Sequence, residues 1–115
     1  MKYMMFVVAD PDHSPQDAAA APSIETWWNG VKDTGQHLDG DRLRPRDDAT
    51  TVRIRGGELL ITDGPFTESK EWIAGFDILE CDDLDAAIEI AASHPMAYAG
   101  RIELRPFWPI DGLGE

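Results

Sequence analysis

The segment Trp72–Cys81 constrains this chain more than any other: ten residues, apolar almost throughout, interrupted by Asp77 at its middle and by Glu80 next to its end. The run reads as a strand that is apolar on both faces, and such a strand needs cover on both sides. The chain has only 115 residues, enough for one domain with a modest core. Two amphipathic helices can cover one face of the sheet. Nothing remains to cover the other, so a second copy of the same sheet is the simplest cover and a homodimer is expected.

The two helices are legible. Ser23 is an N-cap, and Ile24, Trp27, Trp28 and Val31 form an apolar stripe ahead of a stop at Gly35. Asp82 or Asp83 caps a second helix whose inner stripe is Leu84, Ala87, Ile88 and Ala91, closed by Ser93-His94-Pro95. Strands are expected at Lys2–Val8, His37–Arg44, Thr50–Arg55, Glu58–Thr62 and Arg101–Trp108. Gly56-Gly57 marks a two-residue hairpin turn between the third and fourth strands. The prolines of Asp10–Pro22 suggest a loop. This order predicts an α+β fold: a ferredoxin-like βαββαβ unit with an inserted β-hairpin, spanning residues 1–108, followed by a loose tail at 109–115.

Composition removes several function classes. The formal net charge is −12, which disfavours nucleic-acid binding. No window reaches the ~18 consecutive apolar residues of a membrane span. The apolar start of the chain is too short for a signal peptide and meets Asp10 at once, and Cys81 is the only cysteine; both fit a cytoplasmic protein. No P-loop, dinucleotide glycine fingerprint, nucleophile elbow or zinc spacing occurs, so neither a cofactor nor a metal is expected.

The residues that carry chemistry are few. Asp63, at a strand end before Gly64-Pro65, is either a carboxylate at a cleft mouth or a turn aspartate bonding backbone N–H groups. Lys70 either complements Asp63 or pairs with Glu68 on a solvated loop. His37 and His94 are the acid–base candidates if they meet a carboxylate in a cleft; otherwise His94 is a helix C-terminal residue favoured by the dipole. Trp27 and Trp28 cannot face the same way on a helix, so one is core and the other, Trp28, is free to line a pocket. Asp77 needs a partner, because an unpaired buried carboxylate is costly. Arg42, Arg44, Arg46, Arg53 and Arg55 put five of the ten basic residues within fourteen positions. If their strands are neighbours, Arg44 and Arg53 belong to an anion-binding patch for a small ligand; otherwise they are solvated edge charges.

Several of these segments together resemble the YCII-related, DGPF-type family. They are Met1-Lys2-Tyr3-Met4, Thr50-Thr51-Val52-Arg53, Thr62-Asp63-Gly64-Pro65-Phe66 with Glu68 and Lys70 behind it, Gly75-Phe76, Leu84-Asp85-Ala86-Ala87 and Glu103-Leu104-Arg105-Pro106. The resemblance implies a dimeric α-β barrel of two stacked ferredoxin-like sheets with a cleft in each subunit. It also implies a small-molecule-binding or enzyme-like role, since some members look enzyme-like with a His/Asp pair and a dechlorinating enzyme belongs to the wider group. Its alternative implication is an accessory protein that contacts an extracytoplasmic-function sigma factor, because such genes often lie beside one. The enzyme-like members carry a histidine on the first helix, and Ile24–Thr34 has none.

Overall fold

The structure is a computed structural model that describes residues 1–112. Four strands, β1 (Lys2–Ala9), β2 (His37–Arg42), β5 (Trp72–Glu80) and β6 (Gly100–Pro106), form one sheet in the order β2-β5-β1-β6. All three neighbouring pairs are antiparallel. Between β2 and β5 in sequence, β3 (Thr50–Arg55) and β4 (Glu58–Asp63) pair only with each other, as a separate two-stranded sheet. Gly56 and Gly57 turn that hairpin with φ of 58° and 80°, values that a side chain would resist. The architecture is α+β with antiparallel sheets, compatible with a ferredoxin-like unit.

Helices α2 (Ile24–Val31) and α3 (Leu84–Ala92) cover one face of the larger sheet. Ser23 caps α2 by accepting the Thr26 N–H at 3.1 Å, and Asp83 caps α3 by accepting the Ala86 N–H at 2.9 Å. Trp27 and Val31 of α2 and Ala87 and Ala91 of α3 meet Tyr3, Met5 and Val7 of β1 and Leu79 of β5 in the core. The Trp27 indole N–H donates to the Ile90 carbonyl at 2.9 Å, so its polar edge is satisfied inside the core and ties the two helices together. Met4, Phe6, Phe76 and Ile78 lie on the opposite face of the sheet and are only half-buried.

Two short helices replace what the prolines suggested. α1 (Pro15–Ala19) occupies the expected loop, with Ser14 accepting the Asp17 N–H at 3.0 Å. α4 (Pro95–Ala99) begins where His94-Pro95 was expected only to end a helix. In both, proline sits in the first turn, where its missing N–H costs nothing and its fixed φ suits a helix. His94 is therefore the N-cap of α4, its Nδ1 accepting the Met96 N–H at 3.0 Å, and not a C-terminal residue of α3.

The expected convergence of arginines is also corrected. β2 ends at Arg42 and is bonded to β5 alone, whereas β3 is bonded to β4 alone, so the strands carrying Arg42 and Arg53 are not neighbours. Arg44 lies beyond β2 and pairs with Asp48 at 2.9 Å on the surface.

Candidate functional site

A cavity of about 600 Å³ opens between α2, the β2–β5 edge of the sheet and the start of α4. That is the size range of a small-molecule site. Ile24, Trp28, Pro95 and Met96 give it apolar walls, and His37, Asp77, His94 and Arg42 bring polar groups to it.

Sheet register builds its centre. Gly40 of β2 lies opposite Asp77 of β5, and an irregularity between His37 and Asp39 sets His37 opposite Leu79. Leu79 is a core residue, so His37 is turned to the helix side of the sheet. His37 Nε2 and Asp77 Oδ1 are 2.7 Å apart, with side chains only 10% and 13% exposed. Burial raises the Asp77 carboxyl above the ordinary carboxylate range, and the hydrogen bond and charge of His37 pull partly the other way. With Asp77 ionised, Nε2–H donates to it and Nδ1 remains as the nitrogen that can take or give a proton. Among the described residues Nδ1 of His37 makes no hydrogen bond of its own.

Aromatic edges hold the imidazole in place. Trp28 meets the His37 ring at a centroid distance of 4.9 Å and 84°, and Trp27 meets it at 6.0 Å and 82°. Trp27 also stands edge-on to His94 at 4.7 Å. Trp27 is core, while Trp28 is partly exposed and lines the cavity, the division that adjacent positions on a helix require. His94 is buried, and burial depresses its pKa from 6.5 to about 4, so at neutral pH it is an uncharged acceptor for the Met96 N–H.

The remaining sequence candidates lie elsewhere. Asp63 ends β4, exposed, and does not line this cavity. Lys70 pairs with Asp12 rather than with Asp63, and its ammonium is held above its ordinary pKa chiefly by the hydrogen bond to Asp12. Arg53 is exposed on the hairpin. A second cavity, about 480 Å³, lies at the hairpin base, where Arg44, Pro65 and Phe66 are among its lining residues and Arg46 stacks on Trp72 at 4.6 Å.

His37 thus meets Asp77, not Asp63. Asp77 was visible in the sequence as a carboxylate stranded in an apolar strand, but its partner comes from a strand 40 positions away and depends on a local irregularity of pairing. Among the described residues no group of three or more His, Cys, Asp and Glu side chains is arranged to hold a metal ion. No helix among them is long and apolar enough to cross a membrane.

Two comparisons with known proteins fit this architecture. The YCII-related domain model matches residues 1–111, and the chain belongs to that family. An uncharacterized protein of Rhizobium meliloti is 40% identical over 67 residues, 56% of this chain. The match spans about half of that relative, 54% of its length.

Proposed function

We propose that this YCII-related chain takes a small molecule into the cavity between α2, β2 and β5 and performs proton transfer on it, with His37 as the acid–base group and Asp77 as its orienting partner. The observation that carries this reading is the 2.7 Å His37–Asp77 contact at the wall of a cavity of about 600 Å³. A largely buried charged or charge-sharing pair is a poor device for stability, since well-packed apolar residues serve as well. Placed at a cavity with aromatic walls, the same pair has the parts of a general acid–base site: a titratable ring, a carboxylate fixing its tautomer and restricted water. Trp28 supplies a flat apolar surface for the ligand.

The working unit in this reading is a homodimer. Supporting it is the half-buried apolar strip Met4, Phe6, Phe76 and Ile78 on the face away from the helices. The protomer is also thin, 48 × 42 × 19 Å. Its radius of gyration is 16.5 Å, against about 13 Å for a compact domain of this length. A sheet with one helical layer and an open back has these dimensions.

A thermal-shift screen of small organic molecules tests the site. Ligands that raise the melting temperature of the unaltered protein should lose most of that effect in His37→Ala and in Trp28→Ala. Ligands that stabilise both variants as well as the unaltered protein would locate binding elsewhere and defeat the proposal.

A further inference from the structure

We infer that the ligand of this cavity is an anion, a small carboxylate with an apolar body, and that Arg42 is the residue that selects it. The inference rests on the cavity being the working site and names the class of molecule it takes. Arg42 is the last residue of β2 and lines the cavity together with His37 and Asp77. Its position follows from register: Gly40 lies opposite Asp77 and Arg42 opposite Gly75. Residues two apart in a strand share a face, so Arg42 extends from the same side of the sheet as Asp77. Asp41, between them and opposite Phe76, alternates to the other face by register, though it too is among the residues that line the cavity.

Glycine makes the room. A β-carbon at Gly40 would overlap the Asp77 carboxylate. Gly75, the strand partner of Arg42, leaves a second place without a side chain in the cavity lining. Trp28, Ile24, Pro95 and Met96 wall the space above it.

Arg42 is also uncommitted. Arg44 is paired with Asp48, Arg101 with Asp10, Arg105 with Glu103 and Lys70 with Asp12. Arg46 is stacked on Trp72. Arg42 has no ion pair among the described residues, in a chain with 22 acidic side chains against 10 basic ones. An arginine that acids have not claimed, at the rim of an apolar cavity, offers a two-pronged donor that matches a carboxylate. Two residues of strand separate it from the position opposite Asp77, about 7 Å. A carboxylate on Arg42 therefore sets a neighbouring carbon or heteroatom of a small molecule within reach of His37.

Matched probes test this: benzoate against benzamide, and phenylacetate against phenylacetamide, each titrated while the His37 ring resonances and Trp28 fluorescence are followed. The carboxylates should bind at least about tenfold more tightly than the amides, the gain expected of a charge-assisted hydrogen-bond pair. Arg42→Gln should erase the difference and leave the amides unaffected, and Arg42→Lys should restore part of it. If carboxylate and amide shift His37 at equal concentrations, or if Arg42→Gln keeps the preference, the anion assignment fails while the cavity stands as a binding site. If no probe of either kind moves His37 or Trp28, the cavity reading fails together with the assignment.

Discussion

Gly40 lies opposite Asp77 in the β2–β5 pair, so close that a β-carbon on it would overlap Asp77 Oδ1 and come within 2.8 Å of the Phe76 carbonyl oxygen. The bare backbone at this position is what lets Asp77 lie against β2 and reach His37. Gly40→Ala should push the carboxylate away and strain the strand pair, destabilising by about 1–3 kcal/mol. Urea unfolding gives the stability change, and the His37 ring resonances give the loss of contact. An unchanged midpoint with unchanged resonances would mean that the close approach is absent.

The contact between His37 and Asp77 is expected to be strong enough to measure. In a double-mutant cycle of His37→Ala and Asp77→Ala, the coupling should be about 1–3 kcal/mol, because each single change leaves a largely buried polar group without its partner. Additive effects of the two substitutions would show that the pair does not act as a unit.

His94 sets an acid limit on stability. Its folded pKa, about 4, lies below the ordinary 6.5, because the charged ring is disfavoured where it is buried. A depressed value contributes stability that is fully present above pH 6.5 and is lost as the pH falls through 6.5 towards about 4. The whole difference corresponds to roughly 3 kcal/mol. His94→Asn keeps an acceptor for the Met96 N–H but does not titrate. Its stability should therefore stay flatter than that of the unaltered protein across this window, measured by denaturant unfolding at a series of pH values. Parallel curves would assign the acid sensitivity to other groups.

The uncovered sheet face predicts a dimer. Light scattering at micromolar concentration should give twice the 12.8 kDa chain mass. Ile78→Asp should yield a monomer or an unfolded chain, since it places a charge in the half-buried apolar strip. A monomer of the unaltered protein under those conditions would contradict the prediction. A second exposed surface accompanies that strip. On the hairpin, Val52 lies opposite Ile61 and Ile54 opposite Leu59, giving one apolar face whose four side chains are each 61–64% exposed.

The alternation of Val52 and Ile54 with Arg53 and Arg55, and the Gly56-Gly57 turn, made the hairpin legible in the sequence, because period-two patterning and positive φ are local properties. So were the cap Ser23, the apolar stripe of α2 and, to within the pair Asp82 and Asp83, the cap of α3. The short helices α1 and α4 were not, because Pro15 and Pro95 carry the same letter whether they stop a helix or start one, and only the flanking Ser14 and His94 contacts decide. The site was half legible. Asp77 announced itself as a carboxylate in an apolar strand, and His37 as one of three histidines. Their meeting is a matter of strand order and of an irregular register between His37 and Asp39, neither of which is written in local patterning. The anion reading of Arg44 and Arg53 depended on two strands being neighbours, and sheet order separated them; Arg42, in the same cluster, is the arginine that register carries to the cavity.

Histidine-selective 15N spectra, recorded as a small-molecule fragment library is titrated in, test the central claim most directly, because the chain has only three imidazoles to report. His13, on the loop after β1 with its Nδ1 2.7 Å from the Asp10 carbonyl oxygen, does not line the cavity and is an internal control. The account predicts that binding fragments shift the His37 ring nitrogens, leave His13 unmoved and lose most of their effect on His37 when Trp28 is replaced by alanine. Fragments that bind yet leave His37 unshifted, or a library in which none moves it, would contradict the assignment of this cavity as the working site.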